Sequence, residues 1–253
     1  MQGSIEFKQQ AGIASVRISH PARLNAMSRD MWRELRAVFE SIHISTDLRC
    51  VLLSGDNGNF CSGGDISEYA DFRFQESSLR DFHEDDVWGA LSALLACDVP
   101  IVAQIDGNCM GAGLEIASCC DIRLAGVSAR FGAPIARLGF AMAPREAALV
   151  AREVGLLKAR HMLLEAAVFS AAEMQACNFI SRVLADDQTA IEALATAQRL
   201  LALGPQAARR NKQTLRAIST LEASASEAAY AYADSPEHRE GISAFLEKRS
   251  PDF

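Results

Sequence analysis

Short apolar runs alternate with helix-period segments up to Arg145, and from Arg145 onward only helical periods remain. Such an order reads as an α/β core followed by an α-helical tail. Residues 5–7 and 13–18 alternate around Gly12 as a hairpin. Ser28 opens a helix that carries Met31, Leu35, Val38 and Ile42 on one face. Residues 50–53 and 101–105 are short apolar runs that read as buried strands, the second opened by Pro100. Residues 79–95 read as a helix with Phe82, Val87, Leu91, Leu94 and Leu95 as its apolar stripe. A helix over 111–118 and strands over 122–125 and 129–131 follow. Later helices start near Arg145, Leu156, Ala171, Asp187, Pro205, Glu222 and Pro236. The expected division is a core over residues 1–186 and a helical region over 187–253. Their boundary, near 186–190, is a change in helix packing without a flexible linker.

Two junctions in the core carry the chemistry. Phe60-Cys-Ser-Gly-Gly-Asp-Ile66 and Gly107-Asn-Cys-Met-Gly-Ala-Gly-Leu-Glu115 both place small residues where a chain leaves a strand for a helix. The first N–H groups of a helix lack intrahelical partners and lie at the positive end of its dipole. Two such N–H groups aimed at one carbonyl oxygen make an oxyanion hole, each donor worth about 3–4 kcal/mol where one has been removed. Glu115 follows the second junction by one turn, a combination suited to polarising or enolising a thioester.

Composition narrows the classes. The 253-residue chain carries a net charge of −7, which argues against a nucleic-acid partner. No run reaches 18 apolar residues and the start lacks a basic segment followed by an apolar one, so neither a membrane span nor a secretory signal is expected. Seven cysteines without C-x-x-C spacing fit a reducing cytoplasm. Cys61 and Cys109 sit in the two junctions but read as packing residues, with no histidine beside them in sequence. The five histidines show no metal-ligand spacing, so no metal is expected.

The ordered motifs give the chain a wider resemblance. Val102-Ala-Gln-Ile-Asp-Gly107, Gly111-Ala-Gly113 and Ser118-Cys-Cys-Asp-Ile122, together with His20-Pro-Ala-Arg-Leu-Asn-Ala-Met27, Phe60-Cys-Ser-Gly-Gly-Asp65 and Ala244-Phe-Leu-Glu-Lys-Arg249, resemble the crotonase (enoyl-CoA hydratase/isomerase) superfamily from Ile13 to about Arg249. The resemblance implies a spiral of β-β-α units with a helical C-terminal trimerisation region, in a homotrimer or dimer of trimers. It implies an acyl-CoA substrate and no separate cofactor, coenzyme A entering as part of the substrate. By motif position, the backbone amides of Gly64 and Ala112 would form the oxyanion hole, with Glu115 as catalytic carboxylate. CoA and substrate contacts would fall on Arg23, Leu24, Ser62, Asp65, Ile66, Gly111 and Ile135, and on Phe245 and Lys248 of a neighbouring subunit. Asp65, at a helix entrance, also reads as an N-cap.

One position departs from that pattern. After Pro134 the well-known hydratases carry a second glutamate, and this chain has Ile135. Isoleucine can neither hold water nor move a proton. Glu115 alone, Glu146 or Arg145 in the altered loop, or a group among Tyr69, Asp71 and His83 would have to supply the missing function. Of these, Glu146 and Arg145 read as solvated or salt-bridged, and His83, in an acidic run, as surface-exposed. The leading expectation is hydration of a 2-enoyl-CoA in fatty-acid or related acid degradation. Isomerisation, decarboxylation, or acyl-CoA binding with degraded catalysis stand as alternatives.

Overall fold

The opening hairpin is also the edge of the main sheet. In the computed structural model, which describes residues 2–219 and 235–253, β1 (Ser4–Gln10) and β2 (Ile13–Ser19) pair antiparallel. From β2 the sheet continues in parallel through β3 (Cys50–Gly55), β4 (Ile101–Ile105), β6 (Ile122–Gly126) and β9 (Arg182–Leu184). A second, three-stranded sheet joins β5 (Asn108–Met110), β7 (Arg130–Gly132) and β8 (Val168–Ser170). This α/β arrangement is the expected spiral of strand and helix units ending in helices.

Both faces of the main sheet are covered, as parallel strands require. Val51 and Leu53, pointing to one face, join the main core, while Cys50 and Leu52 point to the other. On the main-core side lies α1 (Arg29–Ile44), whose Met31, Trp32, Leu35, Phe39 and Ile42 are buried. Ser28 caps it, its hydroxyl accepting the Met31 N–H at 3.2 Å. The opposite face is closed by α8 (Thr189–Leu201), which seats Ala193 and Ala197 against Cys50, Val102 and Leu124.

The segment read as one helix over 79–95 is three pieces. It comprises α2 (Glu76–Asp81), a π-helical stretch (Phe82–Val87) and α3 (Trp88–Ala96). Its apolar stripe is spaced by five between Phe82 and Val87, which a wider π turn brings onto one face, and both are buried. The same stretch turns Asp86 inward, where it pairs with Arg29 and Arg33, each at 2.8 Å.

The expectation that strands end at Arg145 is corrected by β8 and β9. Each has only three residues and takes its order from partners far away in sequence: β8 from β7, β9 from β6. The strand β5 was likewise read as part of a junction. Beyond Arg145 come α5 (Pro144–Val154), α6 (Leu156–Leu164), α7 (Ala171–Ala176), α9 (Pro205–Ser219) and α10 (Pro236–Glu247). The helix expected near Glu222 lies outside the described residues.

Between β5 and β6 runs α4 (Ala112–Ser118), buried on every side. It packs so closely on the first junction that a Cβ at Gly113 would lie 2.5 Å from the Cys61 carbonyl oxygen. Replacing Gly113 by alanine should therefore push the two junctions apart and destabilise the fold by roughly 1–3 kcal/mol. Urea unfolding of the G113A variant checks this, and an unchanged midpoint would contradict the packing.

Candidate active site

An open cavity of about 180 Å3 lies where the two glycine-bearing junctions meet the π-helical stretch and the start of α5. Short backbone bonds hold the junctions together: the Cys61 N–H donates to the Asn108 carbonyl at 2.8 Å, and the Met110 N–H to the Cys61 carbonyl at 2.9 Å. Pairing to β5 thus sets the first junction against the second. Around them Met27, Asp65, Gly111 and Glu115 all donate their N–H groups to backbone carbonyls. Among the described residues, no backbone carbonyl accepts from the N–H of Gly64 or of Ala112. Both residues line the cavity. A side chain at Gly64 would strike the Tyr69 hydroxyl and could enter only if that phenol moved aside. Gly111 turns the chain into α4 with φ +46°, a conformation that suits glycine.

Glu115 lies in the first turn of α4 and is 6% exposed. Its carboxyl group lines the cavity and takes no hydrogen bond from any described residue. Burial, and next the charge of Glu146, push its pKa well above the ordinary carboxylate value. Such a group holds a proton that it can deliver in a water-poor site.

Two residues expected at the surface are instead in this cavity. Glu146 is 3% exposed, and its Oε1 lies 2.8 Å from His83 Nδ1. The reason is helical phase: Glu146 shares a stripe with Leu149, Val150 and Val154 of α5, all buried, at spacings of three, four and eight. Arg145, one residue earlier, faces outward and pairs with Glu84 at 3.1 Å, as its salt-bridged reading required. His83 belongs to the π-helical stretch, and its neighbours in the acidic run, Glu84 and Asp85, face solvent. The stripe 146, 149, 150, 154 was a readable sign for Glu146; no comparable sign marked His83.

The remaining wall is largely apolar. Ile135, Leu138, Phe140 and Met142 come from the loop between β7 and α5, and Ile66 and Tyr69 from the turn after the first junction. Burial pushes the Tyr69 hydroxyl up to about 12, so it stays protonated. The Arg73 guanidinium stacks over Phe140 at 3.9 Å and Tyr69 at 4.4 Å. Arg73 was not singled out in the sequence.

Of the residues expected at the site, Gly64, Ala112, Glu115, Ser62, Ile66, Gly111 and Ile135 line the one cavity. Arg23 and Leu24 do not line it but are tied to its edge: the Ser62 hydroxyl donates to the Arg23 carbonyl at 2.9 Å, and the Ser62 N–H to the Leu24 carbonyl at 3.1 Å. Asp65 is the N-cap its position suggested, accepting the Ser67 N–H at 3.0 Å, and it pairs with Arg23 at 3.7 Å. Burial opposes its charge, but the Ser67 hydrogen bonds and Arg23 outweigh burial and hold its pKa below the ordinary value. Phe245 and Lys248 sit at the end of α10 and do not line the cavity; Phe245 is 82% exposed. Cys61 and Cys109 are fully buried, and burial pushes the Cys61 thiol up to about 12 and Cys109 higher than its usual value. Both thiols are therefore protonated packing groups. Among the described residues, no cluster of three or more His, Cys, Asp or Glu side chains could hold a metal ion. No helix among them is long and apolar enough to cross a membrane.

Fold and cavity together define a crotonase-type spiral. The model of the enoyl-CoA hydratase/isomerase family matches residues 8–253, and the chain belongs to that family as a catalytic member. It is 30% identical to a probable enoyl-CoA hydratase of Mycobacterium tuberculosis, over 98% of this chain and 96% of the relative. A 2,3-dehydroadipyl-CoA hydratase of Escherichia coli is also 30% identical, over 97% and 96%. Among solved structures, an enoyl-CoA hydratase/carnithine racemase from Magnetospirillum magneticum superposes with TM-score 0.93 at 35% identity, covering 100% of this chain and 96% of that one. The family sets the reaction type, hydratase or isomerase chemistry on an enoyl-CoA.

The raised Glu115 pKa has a signature in stability. A carboxyl whose folded pKa exceeds its unfolded value binds more protons when folded, so stability falls as pH rises from the unfolded value, about 4.3, towards the folded one. Glu115→Gln removes that penalty. The variant should be more stable than the parent at pH 7–8, with the gap closing as pH falls towards 5; a pH-independent gap in urea unfolding would contradict the assignment.

Proposed function

We propose that this enzyme hydrates 2-enoyl-CoA thioesters, using the Gly64 and Ala112 N–H groups as an oxyanion hole and Glu115 as the acid at Cα. The observation that carries the reading is that, among the described residues, two N–H groups without backbone partners and a buried carboxyl without a hydrogen-bond donor line one cavity. A thioester carbonyl placed there accepts both N–H groups. As a nucleophile adds at Cβ, negative charge grows on that oxygen, and fixed donors stabilise it without reorganising. Glu115, held neutral by burial, then protonates Cα. The hydratases named among the relatives support hydration over other reactions of the family. A second reading, isomerisation by a single carboxyl moving a proton between Cα and Cγ, is favoured by Ile135 in the cavity wall.

The CoA moiety is assigned to Arg23, Leu24, Ser62, Asp65 and Ile66 at the cavity edge, where Arg23 offers a cation to its phosphates. Phe245 and Lys248 are assigned to the CoA site of a neighbouring subunit. That assignment goes with a homotrimer or dimer of trimers in the cytoplasm, built on residues 187–253. Ile242, Phe245 and Leu246, apolar and exposed on α10, support a covered surface there.

The test follows the loss of conjugated-thioester absorbance of crotonyl-CoA. The parent should turn over, and Gly64→Pro, which removes one donor, should lower kcat by about 100- to 1000-fold in a folded protein. Unchanged turnover in that variant would remove Gly64 from the mechanism. Conversion of a 3-enoyl-CoA without hydration of crotonyl-CoA would select the isomerase reading.

A further inference from the structure

Hydration needs a second group, one that takes a proton from the attacking water, and Ile135 cannot provide it. We propose that Glu146, held in place by His83, is that group, so that the missing carboxylate is supplied from α5 instead of the turn after Pro134. The proposal rests on the reading of the cavity as an enoyl-CoA site.

The geometry has three parts. First, Glu146 is buried to 3% exposure yet lines the same cavity as Glu115, and its charge acts on Glu115. Both carboxyls therefore bound the one cavity and lie near enough to interact. Second, only Oε1 of Glu146 is engaged, at 2.8 Å from His83 Nδ1. Oε2 takes no hydrogen bond from any described residue and keeps some surface of its own, in a residue that lines the cavity. That oxygen is free to hold a water. Third, the Arg73 contact favours one direction for the His83 bond. Arg73 Nη2 lies 3.5 Å from His83 Nε2, and a guanidinium has only donors. That contact suits the tautomer that accepts at Nε2 and donates from Nδ1 to Glu146, which would hold its carboxylate plane.

The step balances as follows. Water, its proton passing to Glu146 Oε2, bonds through oxygen to Cβ, and the alkene electrons move onto the thioester oxygen between Gly64 and Ala112. The enolate then re-forms its carbonyl and takes the proton of Glu115 at Cα. One water has added across the double bond. After product leaves, Glu146 gives its proton to solvent and Glu115 regains one. The roles suit the environments: Glu115 has no donor to stabilise its charge, whereas Glu146 faces an N–H.

A purely structural His83–Glu146 contact would give the same distances, so the test must separate rate from folding. Two reactions of the full-length enzyme do this: hydration of crotonyl-CoA, and exchange of the Cα protons of butyryl-CoA with D2O, which needs the oxyanion hole and Glu115 but no attacking water. Glu146→Gln should lower kcat for hydration by about 100-fold or more with KM changed less than threefold, while Cα exchange persists. His83→Asn should lower hydration by about 10-fold through loss of positioning, again sparing exchange. Hydration at the parental rate in Glu146→Gln, or loss of hydration and exchange together, would overturn the role of Glu146. A parent enzyme that neither hydrates nor exchanges would overturn the enoyl-CoA reading and this proposal with it.

Discussion

The site depends on a single backbone bridge. Cys61 and Cys109 are bridged in parallel, and the bonds on either side of that bridge clamp the first junction onto β5. Everything that faces the cavity follows from this clamp. The chain leaves it at Gly63 and Gly64 on one side and at Gly111 and Ala112 on the other, so both leave N–H groups without backbone partners on one wall. Gly113 permits the clamp because it lets α4 rest on the Cys61 backbone. Burying two cysteines here is a packing choice, as small apolar side chains fit where two backbones nearly touch.

A buried α4 has a consequence for charge. With Leu114, Gly113, Ile116 and Ala117 all out of solvent, Glu115 cannot reach water except through the cavity. Among the described residues no cation pairs with it, so burial acts on it unopposed and the Glu146 charge adds to the effect. Asp65, only slightly more exposed, shifts the other way because Ser67 and Arg23 stabilise its charge. Two carboxyls, one at each junction, thus differ by their partners, one set to hold a proton and one to hold structure.

Local signals made most of the main sheet readable. The hairpin, α1 with its Ser28 cap, β3, β4 and α4 all announce themselves through periodicity, capping or turn residues within a few positions. What escaped was made by distant partners. Strands β5, β8 and β9 are three residues each, too short to show alternation, and exist because another chain segment completes them. The π-helical stretch was hidden inside a correct helix reading, although the five-residue step from Phe82 to Val87 encoded it.

The same division holds at the site. Gly64, Ala112 and Glu115 sit in contiguous motifs, and the structure brings them onto one cavity as those motifs imply. Glu146 and His83 sit 63 residues apart and meet only through tertiary packing, so charge pattern alone placed them at the surface. The measurement that bears most directly on the central claim is the infrared carbonyl stretch of crotonyl-CoA bound to the Glu115→Gln variant, in which the proposed mechanism predicts no turnover. Two N–H donors on one carbonyl, as proposed, would polarise the C=O bond, so the band should move to lower frequency than in free crotonyl-CoA and move back when Gly64 is also replaced by proline. A bound carbonyl that vibrates at its solution frequency would contradict the oxyanion hole on which the account stands.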